Sequence, residues 1–429
     1  MAKQHWNVLV FPGGMENGIE IYNSLKNCKE VTLFSASASV PNQAFYLYKE
    51  NHICPDVREQ GWVDVLNKLV AENKIDIIYP ANSLVIDALY RSKNEINCKI
   101  LLPRDEALDI TRSKKRTIET LSGVIPVPKV YVKAEQIDSF PVFIKPNSGY
   151  GAQGAKVVET SDELGAVDFD GYVVEELLPG KEYTIDCFSD RNGNLLFSSG
   201  RERSRIRMAT SMHAEPVPVE LDALFEEYAK RILSKIKING AWFFQMKEDA
   251  SGELRLLEID IRIAGTMCYD RCKGVNFPLL SLYDYFGLPV GISVNKEKLS
   301  LDRCLRNRYL FDYEYDNVYI DLDDTIIFNG QYNTDIMKFI FQCLNKKKKV
   351  VLLSKHIGDG DAYLKQWRLD NLFSSVVWME EEDEKYKYIN PERSIYIDDS
   401  FSQRKQVAEK CGIPTFDASM IECLIDDRI

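Results

Sequence analysis

The sequence predicts a mixed α/β chain in three parts: a parallel α/β layer over 1–105, an α+β body over 106–300, and a small α/β domain over 317–429 after a linker at 301–316. Three observations carry this. Apolar runs alternate with helical patterns at both ends of the chain, which is the signature of parallel sheets covered by helices. The central third instead strings short strands together through turns. The apolar runs of the last part end in carboxylates, as VYIDLDDT and SIYIDDS. A length of 429 residues fits two to three domains at about 150 residues each.

The elements follow in order. WNVLVF at 6–11 is a buried strand, followed by the turn GGMENG and the helical pattern IEIYNSL, then by the strands EVTLFSA and DIIYP. Gly13, Gly14 and Gly18 do not match G-x-G-x-x-G, and no acidic residue follows at a strand end, so the turn reads as a tight strand-to-helix turn. A helix begins near Ser113 and is broken by IPVP at 125–128. The strands PVFIKP, GAKVVET, GYVVEELLPG, EYTIDCF and NLLFSSG come next, with Asn192-Gly193 as a hairpin turn. A long helix, ELDALFEEYAKRILSKIKI, precedes a second hairpin, AWFFQMKED–SG–ELRLLEID. The stretch LDRCLRNRYLFDYEY loses periodicity and reads as the linker. Beyond it VYIDLDDT, VVLLSK, SVVWM and SIYIDDS alternate with helices, and the lysines at 346–349 read as a solvated helix end.

Composition narrows the classes. With 45% apolar and 28% charged residues the chain is an ordinary soluble globular protein. A net charge of −11 argues against nucleic acid or an anionic membrane as partner. No stretch approaches the roughly 20 apolar residues of a membrane span, and the first strand is too short for a signal-peptide core. Ten cysteines without a paired framework point to free thiols in a reducing cytosol. Cys268 and Cys272 lack the second ligand pair that structural zinc requires.

The centre of the chain carries one set of chemical groups. Lys145 ends a strand directly before a loop containing Gly149, Gly151 and Gly154. Backbone N–H groups of such a loop and a lysine ammonium suit phosphate oxygens, although a plain glycine hairpin has the same composition. Acidic residues follow at Glu175, Glu176 and Glu182. Gln245 lies on one strand, and Glu258 and Asp260, two apart on the next, project together. Such hard oxygen donors are what Mg²⁺ prefers; an exposed polar strand face is the plain alternative. Arg262 continues that face, placed to meet a transferring phosphoryl group. Arg201, Arg203 and Arg207 offer bidentate anchors to an anionic substrate, and His213 reads as a loop residue.

The order of lysine, glycine loop, acidic hinge, Gln245 and E-x-D-x-R resembles the ATP-grasp superfamily, particularly its carbamoyl-phosphate-synthase-like branch. The resemblance covers roughly 1–295, including a preceding Rossmann-like domain, and GVNFPLLSLYDYFGLPV at 274–290 is similar to that branch's closing helix. It implies that Lys114, in preference to Lys115, and Lys145 hold ATP phosphates under a lid of Gly149, Gly151 and Gly154. Glu175, Glu176, Leu177 and Leu178 would line the adenine hinge, Glu182 would bind ribose, and Gln245, Glu258 and Asp260 would hold Mg²⁺. Asp260 stands where the branch usually has Asn, making the metal site more anionic. The implied reaction is ATP-dependent phosphorylation of a small-molecule carboxylate, followed by attack of an amine on the acyl phosphate.

A second set lies at the carboxyl end. Asp321 leaves a buried strand as a candidate nucleophile, and Asp323 is placed to protonate a leaving group and then activate water. Ser354 ends the next strand as a phosphate donor. Lys385, on a helix before the last strand, neutralises phosphate, with Lys387 as its near alternative. Asp398 and Asp399 join Asp321 and Asp323 as Mg²⁺ ligands. This set resembles the haloacid-dehalogenase (HAD) superfamily over 317–429, without room for a cap domain, and implies hydrolysis of a phosphorylated metabolite. The combined expectation is a cytoplasmic carbon–nitrogen ligase fused to a phosphatase. The alternative is a phosphatase carrying a nucleotide-sensing, non-ligating ATP-grasp module.

Overall fold

Val8, Leu9 and Val10 have no exposed surface, because the first strand, β1 (Trp6–Phe11), is covered on both faces. β1 lies in a five-stranded parallel sheet with β2 (Val31–Ser37), β3 (Asn51–Ile53), β4 (Ile77–Pro80) and β5 (Lys99–Ile100), in the order β3-β2-β1-β4-β5. Burial on both faces explains the unbroken apolar run. Val8 and Val10 pack with Ile21 and Leu25, while Leu9 and Phe11 pack with Leu66, Val85 and Leu89. A Cβ on Gly13 would stand 2.0 Å from Ser35 Oγ, so the turn after β1 passes hard against the Ser35 side chain. The computed structural model describes residues 5–149, 153–165, 167–207 and 210–428. It divides into a unit ending at Leu305 and a second unit, Arg306–Arg428.

Two antiparallel sheets complete the first unit. The smaller contains β6 (Val130–Tyr131), β7 (Val142–Pro146), β8 (Lys156–Val158) and β9 (Tyr172–Glu176), in the order β6-β9-β7-β8. The larger contains β10 (Glu182–Ser189), β11 (Leu195–Arg207), β12 (Thr210–Pro216), β13 (Gly240–Glu248), β14 (Leu254–Asp260) and β15 (Leu301–Asp302), in the order β14-β13-β10-β11-β12-β15. Period-two alternation gives this sheet two unlike faces. Tyr183, Ile185, Phe244 and Met246 pack against Phe225, Ala229 and Ile232 of the helix Val219–Lys235. Glu182, Thr184, Asp186, Arg201 and Gln245 line the other face, with Thr184 in register with both Arg201 and Gln245.

β14 breaks the simple alternation. Gln245 pairs with Glu258, but Met246 pairs with Leu256, so Leu257 is an extra residue. Such a bulge exchanges the faces on its two sides. Leu256 before it and Ile259 after it therefore both reach the apolar core, and Glu258 is aligned with Gln245. The start of the expected linker is also sheet: Leu301 and Asp302 pair with Ala214 and His213, where His213 Nδ1 contacts Asp302 Oδ1 at 2.9 Å.

In the second unit β16 (Asn317–Ile320) is followed by a short hairpin, β17 (Ile327–Phe328) and β18 (Gln331–Tyr332), and then by β19 (Lys349–Ser354), β20 (Ser375–Trp378), β21 (Ser394–Ile397) and β22 (Thr415–Phe416). The parallel order β20-β19-β16-β21-β22 puts β16 between β19 and β21. Helices Thr334–Asn345, Gly360–Gln366 and Phe401–Cys411 connect the strands. The helix expected to carry Lys385 is a single 3₁₀ turn, Lys385–Tyr388. None of the ten cysteines is in a disulfide, and no helix among the described residues is long and apolar enough to cross a membrane.

Phe225 anchors the long helix to the large sheet: it is fully buried, and a Cβ on Gly200 would stand 2.5 Å from its ring. Phe225→Ala is expected to cost about 3–5 kcal/mol of stability, read as a lower denaturant midpoint.

Candidate functional site

The polar face of the large sheet and the end of β7 supply the first cluster. Lys145 is 6% exposed. Its Nζ lies 2.6 Å from Glu175 Oε1 on the neighbouring strand β9 and donates to Leu257 O at 3.2 Å. The β14 bulge frees that carbonyl from regular ladder pairing and turns it into a lysine anchor. Glu175, expected at an adenine hinge, is thus engaged with Lys145, and its Oε2 has no hydrogen-bond partner. Burial raises its pKa against the pull of Lys145. Glu176, Leu177 and Leu178 follow at the end of β9, where Glu176 Oε1 accepts from Lys129 N at 2.8 Å. Lys114, first residue of the helix Lys114–Leu121, donates to Gly149 O at 3.2 Å. Burial lowers its pKa, with Glu258 opposing. Lys115 instead donates to Phe169 O and Asp170 O. Gly149 and Gly154 have positive φ, +152° and +74°; Gly151 lies outside the described residues.

Glu258 and Asp260 extend the cluster. Burial raises the Glu258 pKa, and Asp260 adds to the shift. The Gln245 amide orientation that satisfies its neighbours donates to Glu258 Oε1 at 3.1 Å and accepts from Arg203 Nη1 at 3.1 Å. Asp260 Oδ2 lies 2.7 Å from Arg262 Nε, and Ser83 Oγ both donates to Asp260 Oδ2 at 3.0 Å and accepts from Arg262 Nε at 2.8 Å. Arg262 stands just past the end of β14, not on it. The expected substrate arginines separate. Arg201 is fully buried and donates to Asp186 Oδ2 at 2.8 Å and Thr266 Oγ1 at 2.6 Å, so it ties the sheet to the loop after β14 instead of facing open solvent. Arg203 pairs with Glu182, the expected ribose ligand. Arg207 is exposed at the end of β11.

In the second unit the carboxyl ends of three adjacent parallel strands converge, the edge at which open α/β sheets bind ligands. Asp321 follows β16, Ser354 ends β19 and Asp398 follows β21. Lys385 Nζ lies 2.7 Å from Asp321 Oδ1 and 2.6 Å from Asp398 Oδ2. Lys387 points elsewhere, to Glu384 at 2.7 Å, so Lys385 is the one of the two that meets the aspartates. Asp398 also accepts from Tyr396 Oη and, at 2.7 Å, from Ser400 N. Carboxylate oxygens of Asp321, Asp398 and Asp399 lie within 4.8 Å of one another, a donor set that suits a divalent cation. Asp323 stands outside that triplet; both its oxygens contact His356 Nδ1, at 2.8 and 3.1 Å. Ser354 Oγ is buried without a hydrogen-bond partner, a donor left over for a ligand.

Comparison with known proteins bears on the fold of the first unit. Residues 168–302 match the family model described as ATP-grasp in the biosynthetic pathway with Ter operon. The biotin carboxylase domain of Hydrogenobacter thermophilus 2-oxoglutarate carboxylase superposes with a TM-score of 0.58 at 15% identity, covering 68% of this chain and 73% of that one. An ADP complex of N5-carboxyaminoimidazole ribonucleotide synthetase gives 0.55 at 14%, covering 68% and 79%. The chain contains an ATP-grasp fold. In sequence, the chain is similar to 3-methyl-D-ornithine–L-lysine ligase of Methanosarcina acetivorans, 26% identical over 256 residues and 58% of this chain. It is also similar to the arginine-specific carbamoyl phosphate synthase large chain of Halalkalibacterium halodurans, 24% identical over 51% of this chain. The matches span 65% and 23% of those two relatives.

Sequence reasoning missed Ser83, Tyr396 and His356. Ser83 is 177 residues from Asp260, and no periodicity links them. Tyr396 had a signal: it lies on β21 two residues before Asp398, a spacing that period-two alternation puts on one side. His356 stands two residues past Ser354, and its contact with Asp323 is tertiary.

Burial pushes the Asp321 carboxyl up to about 7, with Lys385 opposing and Asp398 adding to the rise. Its folded pKa lies above the unfolded value of about 3.9. Its contribution to stability is therefore complete below about pH 4 and is lost as pH rises through about 7. Lys385→Met leaves the facing carboxylates without their cation. The expected cost is about 3–5 kcal/mol at pH 8, shrinking at pH 5 where Asp321 takes up a proton. Denaturant titrations at the two pH values check this, and an equal loss at both would contradict it.

Proposed function

We propose that the ATP-grasp unit is an ATP-dependent ligase that activates a carboxylate as an acyl phosphate for attack by an amine, and that the second unit is an aspartate-nucleophile phosphohydrolase. The observation that carries the first half is the buried Lys145–Glu175 pair beside Lys114, Glu258 and Asp260. Two cations for phosphate oxygens stand next to hard oxygen donors in one cluster. Two structural neighbours supply support: the Hydrogenobacter structure holds MgADP and bicarbonate, and the synthetase holds ADP.

In this reading Lys114 and Lys145 hold the phosphates of ATP, under the loop of Gly149 and Gly154. Gln245, Glu258 and Asp260 hold Mg²⁺, which neutralises phosphate charge when bound. Arg262, fixed by Asp260 and Ser83, faces the transferring group. A substrate carboxylate oxygen attacks the γ-phosphorus and ADP leaves; an amine then attacks the acyl carbon, and phosphate leaves as the amide forms. The positive pair acts where negative charge develops, the arrangement from which phosphoryl-transfer sites draw most of their rate.

In the second unit Asp321 attacks phosphorus while Asp323 protonates the leaving oxygen. Asp323 then takes a proton from water as the aspartyl phosphate is hydrolysed. Lys385 and Ser354 bind phosphate oxygens, and Asp321, Asp398 and Asp399 would hold Mg²⁺, which would supply charge to offset that of the phosphate. The support is the convergence of these groups at one sheet edge, with a buried lysine bridging nucleophile and metal ligand.

With Mg-ATP, hydroxylamine and a panel of carboxylic acids, acid-dependent hydroxamate and ADP are expected. Lys145→Ala is expected to lower the rate by roughly 10²–10³-fold. Binding of Mg-ATP without hydroxamate from any acid would replace the ligase by a nucleotide-sensing module. Separately, hydrolysis of p-nitrophenyl phosphate is expected to vanish in Asp321→Asn and on chelation of Mg²⁺. Hydrolysis that survives the substitution would sink the phosphohydrolase reading.

A further inference from the structure

His356 lies two residues beyond the end of β19, and its Nδ1 meets Asp323 Oδ2 at 2.8 Å and Oδ1 at 3.1 Å. The ring is not free to turn. It lies tilted against Tyr363 with centroids 4.3 Å apart and planes at 32°, and Trp378 stands 6.1 Å away on β20. Trp378 is itself held, since its Nε1 donates to Asp361 Oδ1 at 2.9 Å. Gly360 packs against its indole so closely that a Cβ would stand 2.5 Å away. Tyr363 belongs to the helix Gly360–Gln366, and beyond it Trp367 is capped edge-on by Tyr332 of the β17–β18 hairpin at 5.0 Å. An aromatic wall thus fixes the imidazole, and the imidazole fixes both oxygens of Asp323. The Asp323 side chain is otherwise open, 45% exposed against 13% for His356.

We infer that His356 is a positioning residue for Asp323, holding that carboxyl group in the orientation from which it protonates the leaving oxygen of poor leaving groups. The inference rests on the phosphohydrolase reading and adds a substrate class to it: alkyl phosphomonoesters, whose alkoxide cannot depart without a proton. The bookkeeping of the step is closed. The Asp321 oxygen–phosphorus bond forms as the phosphorus–leaving oxygen bond breaks, and the proton on Asp323 moves to the departing oxygen. Water then gives a proton to Asp323 while its oxygen bonds to phosphorus, freeing phosphate and restoring Asp321. An alkoxide depends on that proton, whereas a nitrophenolate departs without it, so the contribution of His356 must scale with leaving-group basicity. A general fault in packing carries no such dependence.

The test uses the full chain with Mg²⁺, comparing glycerol phosphate with p-nitrophenyl phosphate. His356→Phe keeps a ring against Tyr363 and removes the Nδ1 contact with Asp323. Its kcat/KM on glycerol phosphate is expected to fall by about 10²-fold, and at least about tenfold further than on the nitrophenyl ester. His356→Asn, whose side-chain amide can donate or accept near the place of Nδ1, is expected to recover most of the loss. Equal losses on the two esters, or no loss on either, overturn the role of His356 while hydrolysis lost in Asp321→Asn keeps the phosphohydrolase reading. Wild-type protein without Asp321-dependent hydrolysis of either ester overturns both.

Discussion

A carboxylate placed at the end of a buried strand is costly unless a cation meets it, and both chemical clusters of this chain depend on a buried lysine that does so. Lys385 sits between Asp321 and Asp398, each under 3 Å away. Burial works against its ammonium, but the two carboxylates more than offset that and hold its pKa above the usual value. The edge of the parallel sheet can therefore carry Asp321, Asp398 and Asp399 together. In the ATP-grasp unit Lys145 plays the corresponding part for Glu175. Such pairs contribute little net stability by themselves, but removing one partner strands the other. They are better understood as the condition under which a dense acidic site exists inside a folded core.

The backbone cooperates in the first cluster through one irregular residue. The extra residue at Leu257 lets Leu256 and Ile259 both face the helix Val219–Lys235, keeps Glu258 beside Gln245, and offers its own carbonyl to Lys145. Strand geometry, core packing and lysine placement are settled by the same bulge. The polar face of the sheet is further stiffened by ion pairs that do not reach outward: Arg201 with Asp186, and Arg203 with Glu182. Asp270, fully buried nearby, is pushed well above the usual carboxyl range by burial and by Asp186, because burial disfavours a second charge there.

Much of this was legible in the residue order. β1, β16, β19 and β21 announced themselves as unbroken apolar runs, because parallel strands are covered on both sides. The Asn192-Gly193 turn and the β13–β14 hairpin followed from turn chemistry. The acidic residues of the second unit were found through their position after apolar runs, which places them at strand ends whatever the packing. Less legible were the features that depend on a neighbour remote in sequence. Leu301 and Asp302 read as linker because two residues carry no periodicity; their pairing with β12 is decided by the facing His213. The arginines of β11 read as ligand anchors because composition does not say whether a guanidinium faces solvent or a buried aspartate.

The residue order by itself determined the longer buried strands such as β1, β7, β13, β16, β19 and β21, which of their ends carry carboxylates, and that a lysine and a glycine loop stand together at the end of β7. These follow from local periodicity and backbone preference, which act over a few residues. Only the tertiary structure decided which charges meet: Lys385 rather than Lys387 for Asp321, Asp186 for Arg201, Ser83 for Asp260 and His356 for Asp323. Each of those choices is made by burial and distance between groups far apart along the chain, where the cost of an unpaired charge, not local preference, selects the partner.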